Sequence, residues 1–243
     1  MERMIVLNMP FTSSTGENTF ICPVILEGEA ESILIDAGVE GFLDFLKEEA
    51  GRLSFDLQNL TTVIVTHQDF DHTGGLPEIL ARYPKIRVLA SRIEKEYLEK
   101  RKKFLRLEQS ERNLPLLSPA ERVEAVAYQE MLKARPPIPV DLTVSEDTDF
   151  DCCGGITVIV TPGHMPGHIS VYSKKFKAVI TGDALTADRG VLQSANPAFT
   201  LDMALSKKSA AKFLRYDVEQ IICYHGGIVT GDVKKRLREL TGQ

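Results

Sequence analysis

The chain has 243 residues, 43% hydrophobic and 26% charged, enough to bury a substantial core in a globular protein. A net charge of −5 excludes a surface built to hold nucleic acid or an anionic membrane. No apolar run reaches membrane-spanning length, and the opening MERMIVLNMPF lacks a secretory signal, so a cytoplasmic protein acting on a small-molecule substrate is expected. The sequence leaves the oligomeric state open, a homo-oligomer included.

In chain order, short β-branched segments bounded by turn residues predict strands at MIVLNM, TFICPVILEG, ESILIDAG and LTTVIVTH. Helical patterns follow some of them: GFLDFLKEEAG, stopped by Gly51, and GLPEILARYP, stopped by Pro84. Residues 92–139 differ in composition and read as a helical insertion within one domain, 1–243. Ile93, Tyr97, Leu98, Phe104 and Leu105 fall on helical spacing. A second helix is announced by SPAE, with Ser118 as N-cap, Pro119 at the first position and Glu121 closing a capping box; its expected apolar stripe is Val123, Val126, Ala127 and Met131. The basic run Lys100, Arg101, Lys102, Lys103 and Arg106 reads as a solvated face.

Strands then resume at GITVIVTPG, HISVYS and KAVITGD, followed by a helix from about Asp202 to Leu214, the strand QIICYHGG and a last helix near Val233 to Leu240. Strands alternating with helices predict an α/β sandwich, sheets inside and helices outside. Four cysteines without a CxxC pair give no cysteine zinc site; Cys152 and Cys153 run into Gly154-Gly155 as a turn, and Cys223 is expected to pack inside.

The chemistry concentrates at strand ends. THQDFDHTGG places His67, Asp69 and Asp71 at alternate positions after a buried strand, and His72 at the turn into the next helix. Imidazole and carboxylate together are good ligands for zinc, iron or manganese. Three later apolar strands end in His164, Asp183 and His225, so one shared site is geometrically plausible.

THQDFDHTGG, TPGHMPGH, TGDA and YHGG, in that order and preceded by LIDAG around Asp36, resemble the metallo-β-lactamase superfamily. The resemblance implies a four-layer αββα sandwich and two divalent metal ions: His67 and His164 on the first, Asp71, His72 and His225 on the second, and Asp183 bridging. Zinc is the ion the family implies. Asp69 replaces the second histidine of the His-x-His-x-Asp-His motif and is read as a first-metal ligand, as Glu is in the flavodiiron branch; that carboxylate opens iron or manganese. Two divalent cations against three carboxylates and a hydroxide sum to zero, where the all-histidine set keeps one positive charge, so weaker Lewis acidity is expected. His168 is assigned a supporting role, and Asp36 is expected to hydrogen-bond backbone behind the site.

The implied reaction is attack of a metal-bridging hydroxide on an acyl carbonyl of a lactone, thioester, β-lactam or ester, with Asp71 and Asp183 as catalytic carboxylates. No GxSxG motif indicates a covalent acyl-enzyme. Lactonase members carry a tyrosine three residues after the bridging aspartate, where this chain has Thr186, and no basic glutathione-binding segment follows YHGG. Asn196, Phe199 and Tyr224 are the expected substrate contacts. The alternatives are a metal-dependent phosphodiesterase or nuclease, a di-iron redox enzyme, and a metal-loaded ligand-binding domain without turnover.

Overall fold

The apolar segments assemble into two six-stranded sheets packed face to face. In the computed structural model, which describes residues 2–12 and 18–243, the first half runs β1 (Arg3–Val6), β2 (Met9–Thr12), β3 (Asn18–Ile21), β4 (Val24–Glu27), β5 (Ser32–Ile35), α1 (Leu43–Arg52), β6 (Thr62–Ile64), α2 (Phe70–Thr73), α3 (Leu76–Arg82) and β7 (Arg87–Ser91). The insertion supplies α4 (Arg92–Leu98), α5 (Leu105–Asn113) and α6 (Pro119–Ala134). The second half continues as β8 (Leu142–Val144), β9 (Thr148–Phe150), β10 (Ile156–Val160), β11 (Ile169–Ser173), β12 (Ala178–Ile180), β13 (Leu185–Asp188), β14 (Val191–Ser194), α7 (Met203–Ala211), β15 (Gln220–Cys223), β16 (Gly227–Thr230) and α8 (Val233–Thr241).

One sheet has the order β1-β4-β5-β6-β7-β8 and the other β16-β15-β12-β11-β10-β9. Period-two alternation sorts the core. Val24, Leu26, Ile33, Ile35, Ile64 and Leu89 face the second sheet, where they meet Ile156, Val158, Ile169, Val171, Ile180 and Ile222. The intervening Ile25, Leu34, Val63 and Val88 pack on Leu46, Ala50, Leu76 and Ile79 of α1 and α3. On the far side, Val179 and Ile221 pack on Ala210, Phe213 and Leu237. The result is the expected αββα sandwich. No helix among the described residues is long and apolar enough to cross a membrane.

Residues 92–134 carry three helices, and the capping box forms: Glu121 N donates to Ser118 Oγ, and Ser118 N donates to the Glu121 carboxylate. Two details differ. The first helix stops at Leu98, because Lys100 takes a positive φ of 57° and its ammonium turns to the carbonyls of Lys133 and Arg135 at the C-terminal end of α6. The stripe of α6 is also rotated: Val123 is 71% exposed and Val126 and Ala127 face outward, while Gln129 and Leu132 are buried. Only the C-terminal half of α6 has a surface to cover, the small cluster of Tyr97, Phe104, Leu107 and Leu132.

Candidate metal centre

Sheet register brings the polar strand ends together. β5 and β6 run parallel with Ile35 beside Ile64, and β12 and β15 run parallel with Ile180 beside Ile222. Asp183 and His225 each lie three residues beyond that second pair, so they emerge at the same level. The two sheets are tied at this edge, where Ile169 N donates to Thr66 O at 3.0 Å. His67, Asp69, Asp71, His72, His164, Asp183 and His225 thereby converge, and three sets of ligand atoms lie within 4.8 Å of one another: His67/Asp69/His164, His67/His72/Asp183 and Asp71/His72/His225.

A chain of hydrogen bonds sets which ring nitrogen faces inward. Asp36, held at a φ of 60°, accepts from Thr66 N at 2.9 Å and from the Thr66 hydroxyl at 2.8 Å. The second carboxylate oxygen is also 2.7 Å from His72 Nδ1 and can only accept there, so the His72 proton sits on Nδ1. Because the Thr66 hydroxyl proton is spent on Asp36, its oxygen accepts from His67 Nδ1 at 3.0 Å. The same logic fixes His164: the Thr200 hydroxyl donates to Asn196 O at 2.7 Å and accepts from His164 Nδ1 at 3.3 Å. All three rings thus turn Nε2 toward the centre, the nitrogen left for a metal.

Those atoms fit a metal. His67 Nε2, His72 Nε2 and Asp183 Oδ1 are buried without a hydrogen-bond partner, an arrangement that costs about 1–3 kcal/mol per group unless something satisfies it. Asp183 reaches both sides, with Oδ1 3.3 Å from His72 Nε2 and Oδ2 3.4 Å from His164 Nε2. His225 Nε2 stands 3.2 Å from Asp71 Oδ2 on the more open side.

Asp69 holds the main surprise. Arg106, from α5, donates Nε to both Asp69 oxygens at 3.0 and 2.9 Å and Nη2 to Oδ2 at 2.7 Å. Arg106 is 7% exposed, which corrects the solvated reading of this member of the basic run. Burial opposes the Asp69 charge, and Arg106 overrides it, holding the carboxyl well below the usual carboxylate range. Counting Arg106 also corrects the expected charge balance, because it restores the one positive unit that Asp69 removes. The neighbours of Arg106 behave as expected: Arg101 pairs with Glu96 and Glu99, and Lys103 with Glu111, at the surface.

The insertion is anchored through the metal motif itself. Gln68 Oε1 accepts from Leu105 N at 2.8 Å, while Gln68 Nε2 donates to Glu94 at 3.0 Å. Glu94 also accepts from Gly167 N at 3.1 Å, and burial pushes its carboxyl up to about 7.

Burial works against a charge on His72 and His225, yet Asp36, Asp183 and Asp71 override it for His72, and Asp183 and Asp71 for His225, raising both. A raised histidine stabilises the metal-free fold fully below about 6.5, and that contribution is lost as pH rises through the elevated value. Metal must displace those protons, so it binds more tightly as pH rises. Calorimetry of metal uptake near pH 7, in two buffers of different ionisation enthalpy, is expected to show net proton release; equal heats would contradict it.

Several expectations need adjusting. Tyr224 is 1% exposed, stacks on His72 with ring centroids 3.9 Å apart and donates its hydroxyl to Asp71 O at 2.5 Å; it braces the site from beneath and is no substrate contact. The Asn196 side chain accepts from Ala198 N, closing its own loop, so it acts through Thr200 on His164. Phe199 is 42% exposed, its ring 5.7 Å from the Arg106 guanidinium. His168 supports as expected: Nε2 accepts from Asp183 N at 3.0 Å, and Nδ1 pairs with Thr161. Thr186 donates to Ser194 O within the β13–β14 ribbon, and Cys223 is fully buried. Sequence reasoning placed Arg106 among the solvated cations and passed over the aromatic wall of Phe11, Phe70 and Tyr128 beside His225. One signal was available: within Phe104-Leu105-Arg106-Leu107 the cation is flanked by apolar residues, unlike the contiguous Lys100–Lys103 run.

Comparison with known proteins identifies the family. The sequence profile of the metallo-beta-lactamase superfamily matches residues 22–225. The chain is 26% identical over 226 residues to the probable metallo-hydrolase YflN of Bacillus subtilis, covering 87% of this chain and 81% of that protein. It is 29% identical over 211 residues to the metallo-beta-lactamase fold-containing protein ST1585 of Sulfurisphaera tokodaii, covering 85% and 72%. A 30-residue stretch, 12% of this chain, is 53% identical to 13% of a hydroxyacylglutathione hydrolase of Actinobacillus pleuropneumoniae. Among solved structures, the metallo-beta-lactamase family protein TTHA1429 of Thermus thermophilus superposes with a TM-score of 0.73 at 23% identity, over 98% of this chain and 78% of that one. The chain belongs to the metallo-β-lactamase superfamily.

Proposed function

We propose that this hydrolase cleaves an acyl bond, in a lactone, thioester, β-lactam or ester, at a two-metal site. The observation that carries the reading is the set of buried, unpartnered atoms, His67 Nε2, His72 Nε2 and Asp183 Oδ1, pointing into one cluster of ligands. His67, Asp69 and His164 would hold one ion and Asp71, His72 and His225 the other, with Asp183 between them. Bound there, divalent ions supply Lewis acidity, acidifying water and polarising the scissile carbonyl.

The protein's own groups do the rest. Asp36, Thr66 and Thr200 fix the ring orientations, sparing reorganisation during reaction. Asp71, with Oδ2 3.2 Å from His225 Nε2, borders the open edge, where its carboxylate can carry a proton to the leaving group. Phe11, whose ring lies 6.3 Å from that of His225, forms with Phe70 and Tyr128 an apolar wall suited to an acyl chain. The short match to a hydroxyacylglutathione hydrolase also supports an acyl target.

The test is metal analysis of the purified protein together with a panel of lactones, thioesters, β-lactams and phosphodiesters. Turnover of a carbonyl substrate is expected, with KM falling as the acyl chain lengthens. Cleavage of phosphodiesters alone would replace this reading with a nuclease. Oxygen uptake by an iron-loaded sample would replace it with a redox enzyme, and tight binding without turnover with a non-catalytic domain.

A further inference from the structure

The first metal site differs from the second in one respect: a cation is built into it. Arg106 Nη2 lies 2.7 Å from Asp69 Oδ2 and 3.1 Å from His164 Nε2. Those are two of the three atoms that the first site offers, the third being His67 Nε2, 3.3 Å from the same Asp69 oxygen. A guanidinium has donors only, so it meets His164 at the ring lone pair, the electron pair a metal would take. Asp69 Oδ2 is likewise spent on it. No cationic side chain touches Asp71, His72 or His225 in this way among the contacts of the described residues.

Arg106 is also held in place rather than left to wander. Its Nη1 donates to Gln109 Oε1 at 3.0 Å, the Phe199 ring lies against its guanidinium, and Leu105 N is pinned to Gln68, between the ligands His67 and Asp69. Asp69 and Arg106 therefore act as a pair. A carboxylate at the position of the motif's second histidine gives the guanidinium a bidentate partner that imidazole would not.

We propose that Arg106 is an internal cation competing with metal for the first site, so that the two sites fill in order, the second before the first. The inference rests on the two-metal reading above. An ion entering the first site has to displace the guanidinium from Asp69 and His164, and then bind beside a fixed positive charge; the second site carries neither cost. Arg106 is in this sense a positioning residue for the metal ligands, tuning occupancy from the insertion.

The test is titration of chelator-stripped protein with Co²⁺, followed by its visible absorption, and with Zn²⁺ against a chromophoric chelator. Two separated steps are expected in the parent protein. Arg106→Gln should tighten the weaker step by about tenfold or more, merging it with the stronger one. Arg106→Lys, which keeps the charge, should leave the steps apart. His225→Ala should remove the step that Arg106 does not affect. If Arg106→Gln destabilises the fold, seen as a lowered melting temperature, the pair replacement Asp69→His with Arg106→Gln should restore it and bind two ions tightly. Tightening is diagnostic, since a merely structural role for Arg106 would weaken binding on its loss. Two equal steps in the parent protein, or a weaker step left unchanged or weakened further by Arg106→Gln, would overturn the inference and leave the two-metal reading standing. No step at all would overturn both.

Discussion

Asp183→Asn is expected to strip metal from both sites and to lower kcat/KM by about 10²–10⁴-fold. Asp183 is, among the described residues, the one carboxylate that faces both ligand sets, with Oδ1 3.3 Å from His72 Nε2 and 3.6 Å from His225 Nε2, and Oδ2 3.4 Å from His164 Nε2. Burial opposes its charge, and His225, His72 and His164 override that, so it is held well below the usual carboxylate range. Asparagine keeps the shape but turns a donor toward one set and removes the charge from both. Deleting one partner of a buried charged cluster costs about 3–5 kcal/mol, and each 1.36 kcal/mol is a factor of ten. The backbone amide of residue 183 still donates to His168 Nε2, so the loop should stay in place. Metal analysis and steady-state kinetics on the same preparation check the result. An asparagine variant that keeps two ions and activity within tenfold of the parent would remove Asp183 from the bridging role.

The fold and the convergence of the candidate ligands were legible because both depend on patterns local to the chain. Buried strands such as Ser32–Ile35 read directly as apolar runs, and each ligand closes one of these runs, so strand ends and site residues were found together. What was not legible depends on contacts between distant segments. The outward turn of Val123 and Val126 follows from how little surface α6 covers, which helical spacing alone does not report. Arg106 reaches Asp69 across 37 positions, and the packing of Phe104 and Leu107 on Tyr97 and Leu132, with the Gln68 anchor on Leu105, brings it there. Tyr224 was misjudged for a related reason: strand alternation places it opposite His225, yet which face is covered is decided by Met9, Ile21 and Ile25, packed in the same cluster from elsewhere in the chain. Asp36 was expected behind the site on backbone alone, and the structure adds a ring partner that makes it consequential.

That partner leads to an expectation about tautomers: Asp36→Asn should damage metal binding more than Asp36→Ala. The Thr66 amide is an obligate donor to Oδ1 at 2.9 Å, so an asparagine here must keep its oxygen on that side. Its amide nitrogen then faces His72 Nδ1, 2.7 Å from the present Oδ2, and donates to it. The ring proton is forced onto Nε2, the atom that should carry the lone pair, and His72 is lost as a ligand while the fold is retained. Asparagine also tolerates the φ of 60° at this position. Alanine removes the carboxylate without imposing a tautomer, so a bound ion can still select the bare Nε2, at the expense of an unpaired Thr66 amide. Loss of a ligand's orienting partner typically lowers metal affinity or activity about 10–100-fold, which is the range expected for alanine, with asparagine beyond it. Metal affinities of the two variants decide the order, and nitrogen chemical shifts of the His72 ring report the tautomer. If asparagine binds metal as well as alanine does, the hydrogen bond from His72 to Asp36 positions the ring without choosing its proton, and the same doubt then extends to the Thr66–His67 and Thr200–His164 pairs, which were assigned by the same reasoning.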